Sequence, residues 1–230
     1  IWPQAIHSRF EHSLGCYQLA QRAGAHLQAC SAGQPSGLLS PMQAQTFLVA
    51  ALLHDVGHYP FSHSLDGLRS LLPPHERVGR ALIEQGELAT ILERDYQLVP
   101  AHVADLIDPP HHLETAGSNA LLGQLLNGPC DIDKLDYVAR DAQACGIFAP
   151  ISDPFLLLSA LGIHWSDAQT VPHLVFSAPA LNEVRAWIAL RQLLYLHVYW
   201  HPINRLCSAM LTRAVQDALD AETLTVTDLQ

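Results

Sequence analysis

Apolar residues along this chain recur mainly three and four positions apart, the period of a helix with one buried face. Residues 10–29, FEHSLGCYQLAQRAGAHLQA, predict a first helix. A Gly/Ser/Pro-rich stretch over 30–40 predicts a loop. The segment LSPMQAQTFLVAALLHD then predicts a second helix, with Ser40 as N-cap, Pro41 in the first turn and a buried body. Further helices are predicted from PPHERVGRALIEQ after its Pro-Pro break, from VPAHVADLI, from SNALLGQLLNG between a Ser cap and a Gly stop, and from DIDKLDYVARDAQACG. Two long helices follow, over about 179–199 and 202–220, parted at Pro202. One segment reads differently: LGIHWSDAQTVPHLVFS, residues 161–177, alternates weakly and predicts a β-hairpin. The expected architecture is a single all-α domain over residues 1–230, a helical bundle with one small hairpin.

Composition narrows the classes of function. Hydrophobic residues make up 49% of the chain, enough for a substantial core. No apolar run reaches the roughly 18–20 residues that span a bilayer, so no membrane partner is expected. A net charge of −10 argues against a nucleic-acid scaffold, because phosphate backbones recruit basic faces. The five cysteines are odd in number and form no CxxC pair, which predicts free thiols and a cytoplasmic location. The chain lacks a starting Met and a signal-peptide pattern, and it stops as a Thr-Asp helix start appears, so an excerpt of a longer protein is expected.

The candidate chemistry begins where the second helix stops, at LLHDVGHYPFSH. His54 and Asp55 are adjacent at a helix end and can ligate a divalent cation if other ligands come from elsewhere. His12 on the first helix and Asp133 on a later one complete a mixed nitrogen and oxygen set. Such a set suits Mn, Fe, Ni or Zn better than Ca. A metal held this way activates water and polarises a phosphoryl oxygen. On the helix of Asp133, Tyr137 and Asp141 follow at successive steps of four and share its face. Lys134 beside that face is the single lysine of the chain.

The motifs HSRFEHSLG, LLHDVGHYPFSHSLD, HERVG, DIDKLDYVARDA and RQLLYLHVYWH run from residue 7 to residue 201. Together they resemble the HD-domain phosphohydrolases, and most closely the deoxynucleoside triphosphate triphosphohydrolase branch, with its SAM-and-HD-domain dNTPases and bacterial dGTPase-like relatives. The resemblance implies a helical HD domain with one divalent metal ion (Mn, Mg, Fe, Ni or Zn) on His12, His54, Asp55 and Asp133. It implies that Arg9, His58 and Lys134 contact phosphate, that His63 lies at the scissile phosphate, and that Arg191 grips the distal phosphates. His75, oriented by Asp66, would protonate the leaving 5′-oxygen. Tyr137 would pack on the sugar, Asp141 would bond its 3′-hydroxyl, Tyr199 would sit against C2′, and His201 near the base or sugar. The loop GIFAPISD departs from the family pattern and implies a reshaped pocket there.

Ordinary structural roles compete with several of these assignments: Tyr137 as core, Arg191 as a surface cap, His201 as part of the bend before Pro202. The expected function is a metal-dependent hydrolase that splits dNTPs into deoxynucleoside and inorganic triphosphate. Alternatives are hydrolysis of another nucleotide (an alarmone, a monophosphate, a modified nucleotide) or a non-catalytic nucleotide sensor. A nucleotide is the expected partner, and homo-oligomerisation is left open.

Overall fold

The computed structural model describes residues 1–30, 38–68, 71–109, 118–148, 153–165 and 172–229, with the side chains of Ser62 and Asp66 excepted. The architecture is all-α with one antiparallel strand pair, as the periodicity predicts. Helix α1 (Arg9–Cys30) buries Cys16, Leu19, Ala20, Ala23 and Leu27, a narrow stripe rich in small side chains that admits neighbours closely. Helix α2 (Pro41–Leu53) starts from a capping box in which the Ser40 side chain accepts from the Gln43 N–H and the Gln43 side chain accepts from the Ser40 N–H. It buries Thr46, Phe47, Ala50 and Ala51 and packs on α1. Past His54 the helical ladder gives way to tight turns, with the Val56 N–H on Leu53 O and the His58 N–H on Asp55 O.

A short 3-10 segment (Ser62–Leu68) leads to α3 (His75–Glu84), then α4 (Gly86–Tyr96), α5 (Pro100–Ile107) and α6 (Ser118–Asn127). Helix α7 (Ile132–Cys145) begins at Asp131, whose carboxylate accepts from the Lys134 N–H. Helix α8 (Pro154–Ser159) precedes strands β1 (Leu161–Trp165) and β2 (Pro172–Phe176), paired from Leu161 opposite Phe176 to Trp165 opposite Pro172. Helix α9 (Leu181–Leu194) runs into a π-helical turn (Tyr195–Tyr199), and α10 (Pro202–Asp220) leaves in a new direction.

Residues of α1, α2, α5, α6, α7 and α9 share one apolar core. A smaller cluster of Leu65, Leu68, Leu72 and Leu229 sits beneath α10, which itself buries no residue fully. Two close approaches depend on glycine. A Cβ on Gly57 would come within 2.1 Å of the His75 carbonyl oxygen, and one on Gly15 within 1.9 Å of the Asp136 carboxylate. Both approaches bring the same region of the molecule together. The centre of the predicted 30–40 loop, the hairpin turn and residues 149–152 of GIFAPISD lie outside the described residues.

Candidate metal and phosphate site

Helices α1, α2 and α7 converge where α2 ends and α7 begins. There His12 Nε2 lies 3.1 Å from Asp133 Oδ1 and 3.8 Å from Asp55 Oδ2. His54 Nε2 lies 3.4 Å from Asp55 Oδ1 and 3.8 Å from Asp133 Oδ1. His12, His54, Asp55 and Asp133, scattered over more than half the chain, thus lie side by side, with Asp55 also within reach of His58 and His75. Ligand atoms of His12, Cys16, His54 and Asp133 all fall within 4.8 Å of one another.

The outer atoms of both imidazoles are already occupied. His12 Nδ1 donates to Asp136 Oδ2 at 2.8 Å, and Arg140 holds both oxygens of that carboxylate at 2.8 and 2.9 Å. His54 Nδ1 donates to the Ala51 carbonyl at 2.9 Å. Each bond holds Nδ1 outward and turns Nε2 inward, and His54 Nε2 is buried with no hydrogen-bond partner. A carboxylate or carbonyl on the second ring nitrogen is the usual support of a metal-ligating histidine. The donor set therefore fits a divalent cation held by two imidazoles and two carboxylates.

The electrostatics agree. Burial disfavours the His12 imidazolium, yet hydrogen bonds to Asp133 and Asp136 outweigh it and push the pKa up to about 12. Burial likewise opposes the Asp133 carboxylate, and His12 and His54 hold it well below the usual range nonetheless. Asp55 is held low in the same way, against burial, by its bond to His58 and the charges of His54, His58 and Arg9. In the absence of a cation, the His12 proton offsets the buried carboxylates, and metal binding displaces such a proton. Cys16 is a different case. Burial pushes its thiol up to about 11, and Sγ packs 3.7 Å from His12 as a neutral group rather than a thiolate ligand.

Three further histidines sit alongside. His58 Nε2 lies 3.2 Å from Asp55 Oδ1, and its ring stacks on His75 with centroids 3.7 Å apart. His63 meets both edge-on, at 5.1 and 6.2 Å. Burial, and then the His58 charge, lower the His75 pKa. The resemblance gives Asp66 the opposite influence, but its side chain lies outside the described residues, and Glu76 Oε2 lies 3.4 Å from His75 Nδ1. The Arg9 guanidinium bonds Asp55, and the Lys134 ammonium bonds Asp131 and the Gly128 carbonyl.

On the next turns of α7, the Tyr137 hydroxyl accepts from Arg191 Nε at 3.4 Å, and Asp141 accepts from the Tyr199 hydroxyl at 2.5 Å. Burial raises both phenols, Tyr137 to about 12, so each is a neutral donor. The π-helical turn delivers Tyr199 to this place; such turns recur at functional sites. The two inward imidazoles, their two carboxylates, the three further histidines and Tyr137, Asp141, Arg191 and Tyr199 line one cavity of about 1110 Å³, a size that takes a nucleotide. Its wall carries Arg9, Lys134, Arg140, Arg191 and Arg205 beside Asp55, Glu76, Asp131, Asp133 and Asp141, so an acidic protein gathers basic side chains around this cavity. His201 stands apart: it is not in the cavity wall, its Nδ1 accepts from the Ile203 N–H at 3.3 Å at the start of α10, and its ring meets Trp2 edge-on.

Sequence reading missed three residues of the site. Asp136 and Arg140 support His12, and the spacing was legible, since Asp136 is one turn beyond Asp133 in DIDKLDYVARDA. His7 donates to Asp141 Oδ1 at 2.8 Å from the segment before α1; it opens the motif HSRFEHSLG, but its spacing to Arg9 and His12 gives it no role.

A family model described as "HD domain" matches residues 9–141. An uncharacterized protein of Bacillus subtilis, YwfO, is 29% identical over 215 residues, 93% of this chain and 45% of that protein. Human deoxynucleoside triphosphate triphosphohydrolase SAMHD1 is 32% identical over 174 residues, 64% of this chain and 27% of that protein. The crystal structure of a hypothetical protein from Aquifex aeolicus superposes with a TM-score of 0.76 at 26% identity, over 95% of this chain and 54% of that one. The chain spans less than half the length of these curated relatives.

Proposed function

This chain belongs to the HD domain family, and from that premise we propose that it is a metal-dependent phosphohydrolase that splits a dNTP into deoxynucleoside and inorganic triphosphate. The observation that carries the reading is the inward pair of Nε2 atoms, each with its outer nitrogen already bonded, facing two carboxylates at the floor of a nucleotide-sized cavity. His12, His54, Asp55 and Asp133 are the ligands. When bound, the divalent cation supplies Lewis acidity at a phosphoryl oxygen and makes water acidic enough to react at neutral pH.

The other side chains act on the substrate. Arg9, which bonds Asp55 at the cavity wall, would present its planar fork to phosphate oxygens. Lys134 and Arg191 add a point charge and a second fork toward the distal phosphates. His58 and His63 contact the phosphate about to be cleaved. His75, with Asp66 as its orienting partner, holds the proton for the leaving 5′-oxygen, and the polyphosphate charge opposes the lowering of its pKa by burial and His58. Asp141 takes the 3′-hydroxyl. Tyr199, drawn against Asp141, fills the space beside C2′ and selects deoxyribose.

The test is direct. Protein loaded in turn with Mn, Mg, Fe, Ni or Zn is incubated with the four dNTPs, the four NTPs and their monophosphates, and products are separated by chromatography. Deoxynucleoside with intact triphosphate, absent in Asp55→Ala, is the expected result. Phosphate released from monophosphates alone would replace this reading with a nucleotidase, and no product from any substrate would overturn it.

A further inference from the structure

Beyond the sugar site one wall of the cavity is aromatic. Tyr137, Tyr199, Tyr195 and Trp200 follow one another edge to face, with centroids 6.2, 5.1 and 5.5 Å apart, and all four line the cavity. On the reading above, Tyr199 marks the deoxyribose. Trp200 is the last ring of the row and is 64% exposed. Single exposed apolar side chains are common, and Leu196, Leu206 and Met210 are exposed as well, but none of those lines the cavity. The Trp200 ring is anchored against Tyr195 without being covered. Its backbone N–H bonds Tyr195 O at 2.9 Å and closes the π-helical turn before the chain bends into α10.

Arg205 stands in the first turn of α10 and also lines the cavity. Arg9, Lys134 and Arg140 each bond an aspartate, and Arg191 bonds the Tyr137 hydroxyl. Among the described residues no hydrogen bond or ion pair holds the Arg205 guanidinium.

We propose that Trp200 and Arg205 form the nucleobase subsite, the indole stacking on the base and the guanidinium donating to acceptor atoms on its edge. The inference rests on the nucleotide reading of the cavity and adds its specificity. Every base offers a π-face, and the bicyclic purines cover more of an indole than pyrimidines do. Arginine carries donors only, so it selects the ring nitrogens and carbonyls of a base edge. Purine dNTPs are therefore the preferred substrates.

Steady-state kinetics of the metal-loaded protein, with dATP, dGTP, dCTP and dTTP as substrates and inorganic triphosphate as competitive inhibitor, separate a base contact from a phosphate contact. Trp200→Ala is expected to raise KM for purine dNTPs roughly tenfold, with kcat and the inhibition constant of triphosphate unchanged, the signature of lost uniform binding. Trp200→Phe should recover most of the loss, and Arg205→Ala should raise KM with the same unchanged inhibition by triphosphate. Active wild-type protein whose KM is indifferent to Trp200→Ala would overturn the subsite alone. Weakened triphosphate inhibition in either alanine variant would also overturn it, moving the residue to the phosphate end. Wild-type protein inactive on all four dNTPs would remove the nucleotide reading and the subsite with it.

Discussion

Asp136 gives His12 the outer hydrogen bond that a metal-ligating histidine requires. Its bond fixes the inward Nε2, and Arg140 fixes Asp136 in turn. Asp136→Asn should therefore weaken Mn affinity by roughly 10–100-fold, read by calorimetric titration, with a circular dichroism spectrum like the wild type. Unchanged affinity would mean that His12 is oriented by something else. The raised pKa of His12 carries a second expectation with a definite sign. At pH 7 the cation-free site holds the His12 proton that metal must displace, so adding Mn to weakly buffered protein should release about one proton per site. Affinity should rise with pH while that imidazole remains protonated in the free protein. An indicator dye reads the release, and its absence would show that the imidazole was already neutral.

At the scale of elements, the site exists because α1, α2, α3 and α7 approach closely, and glycines permit two of the approaches. A Cβ at Gly57 meets only backbone, at 2.1 and 2.2 Å, so Gly57→Ala should cost about 3 kcal/mol or more of unfolding free energy. Gly15→Ala meets the Asp136 and Arg140 side chains and should weaken metal binding as well as stability. Gly24 on the same helix α1 has nothing within 4 Å of the place a Cβ would take, and Gly24→Ala should stabilise by about 0.5–1 kcal/mol. Denaturant unfolding of the three variants reads this order, and Gly57→Ala as stable as wild type would refute the close-packing argument. The element map itself was largely legible. Ser40 with Gln43, Pro100, Asp131 and the alternation after Leu161 each announced an element through its own chemistry. Helix α4 was not legible, because it starts on Gly86 at φ +72° with no side-chain cap. The π-helical turn was not legible either, since LLYLHVYWHP carries the apolar period of an uninterrupted helix up to Pro202. The convergence of His12, His54, Asp55 and Asp133 was legible from motif order, whereas the support of His12 by Asp136 and of Asp141 by His7 runs through contacts between segments far apart in the chain.

At the scale of the molecule, one apolar core holds the metal-side helices while α10 rests on a separate small cluster. A cation held by His12, His54, Asp55 and Asp133 would tie α1, the end of α2 and α7 together, so its binding would be linked to global stability. At free Mn of 100 times its Kd the folded state gains about 2.7 kcal/mol, a melting-temperature rise of roughly 5–10 °C for a domain of this size. Differential scanning fluorimetry with and without a chelator reads it, and Asp133→Asn should abolish the shift. An unchanged wild-type melting temperature would show that no cation ties these helices together. The cavity sits where the two packing units meet, with α1 and α7 on one side and the start of α10 on the other.

The central claim is that His12, His54, Asp55 and Asp133 act as one metal centre. The most direct measurement is anomalous diffraction at the Mn edge from crystals of the Mn-loaded protein. A single peak within roughly 2.0–2.3 Å of His12 Nε2, His54 Nε2 and one oxygen each of Asp55 and Asp133 is the expected result. A peak held instead by His58 and His75, or no ordered peak in this cavity, would contradict it.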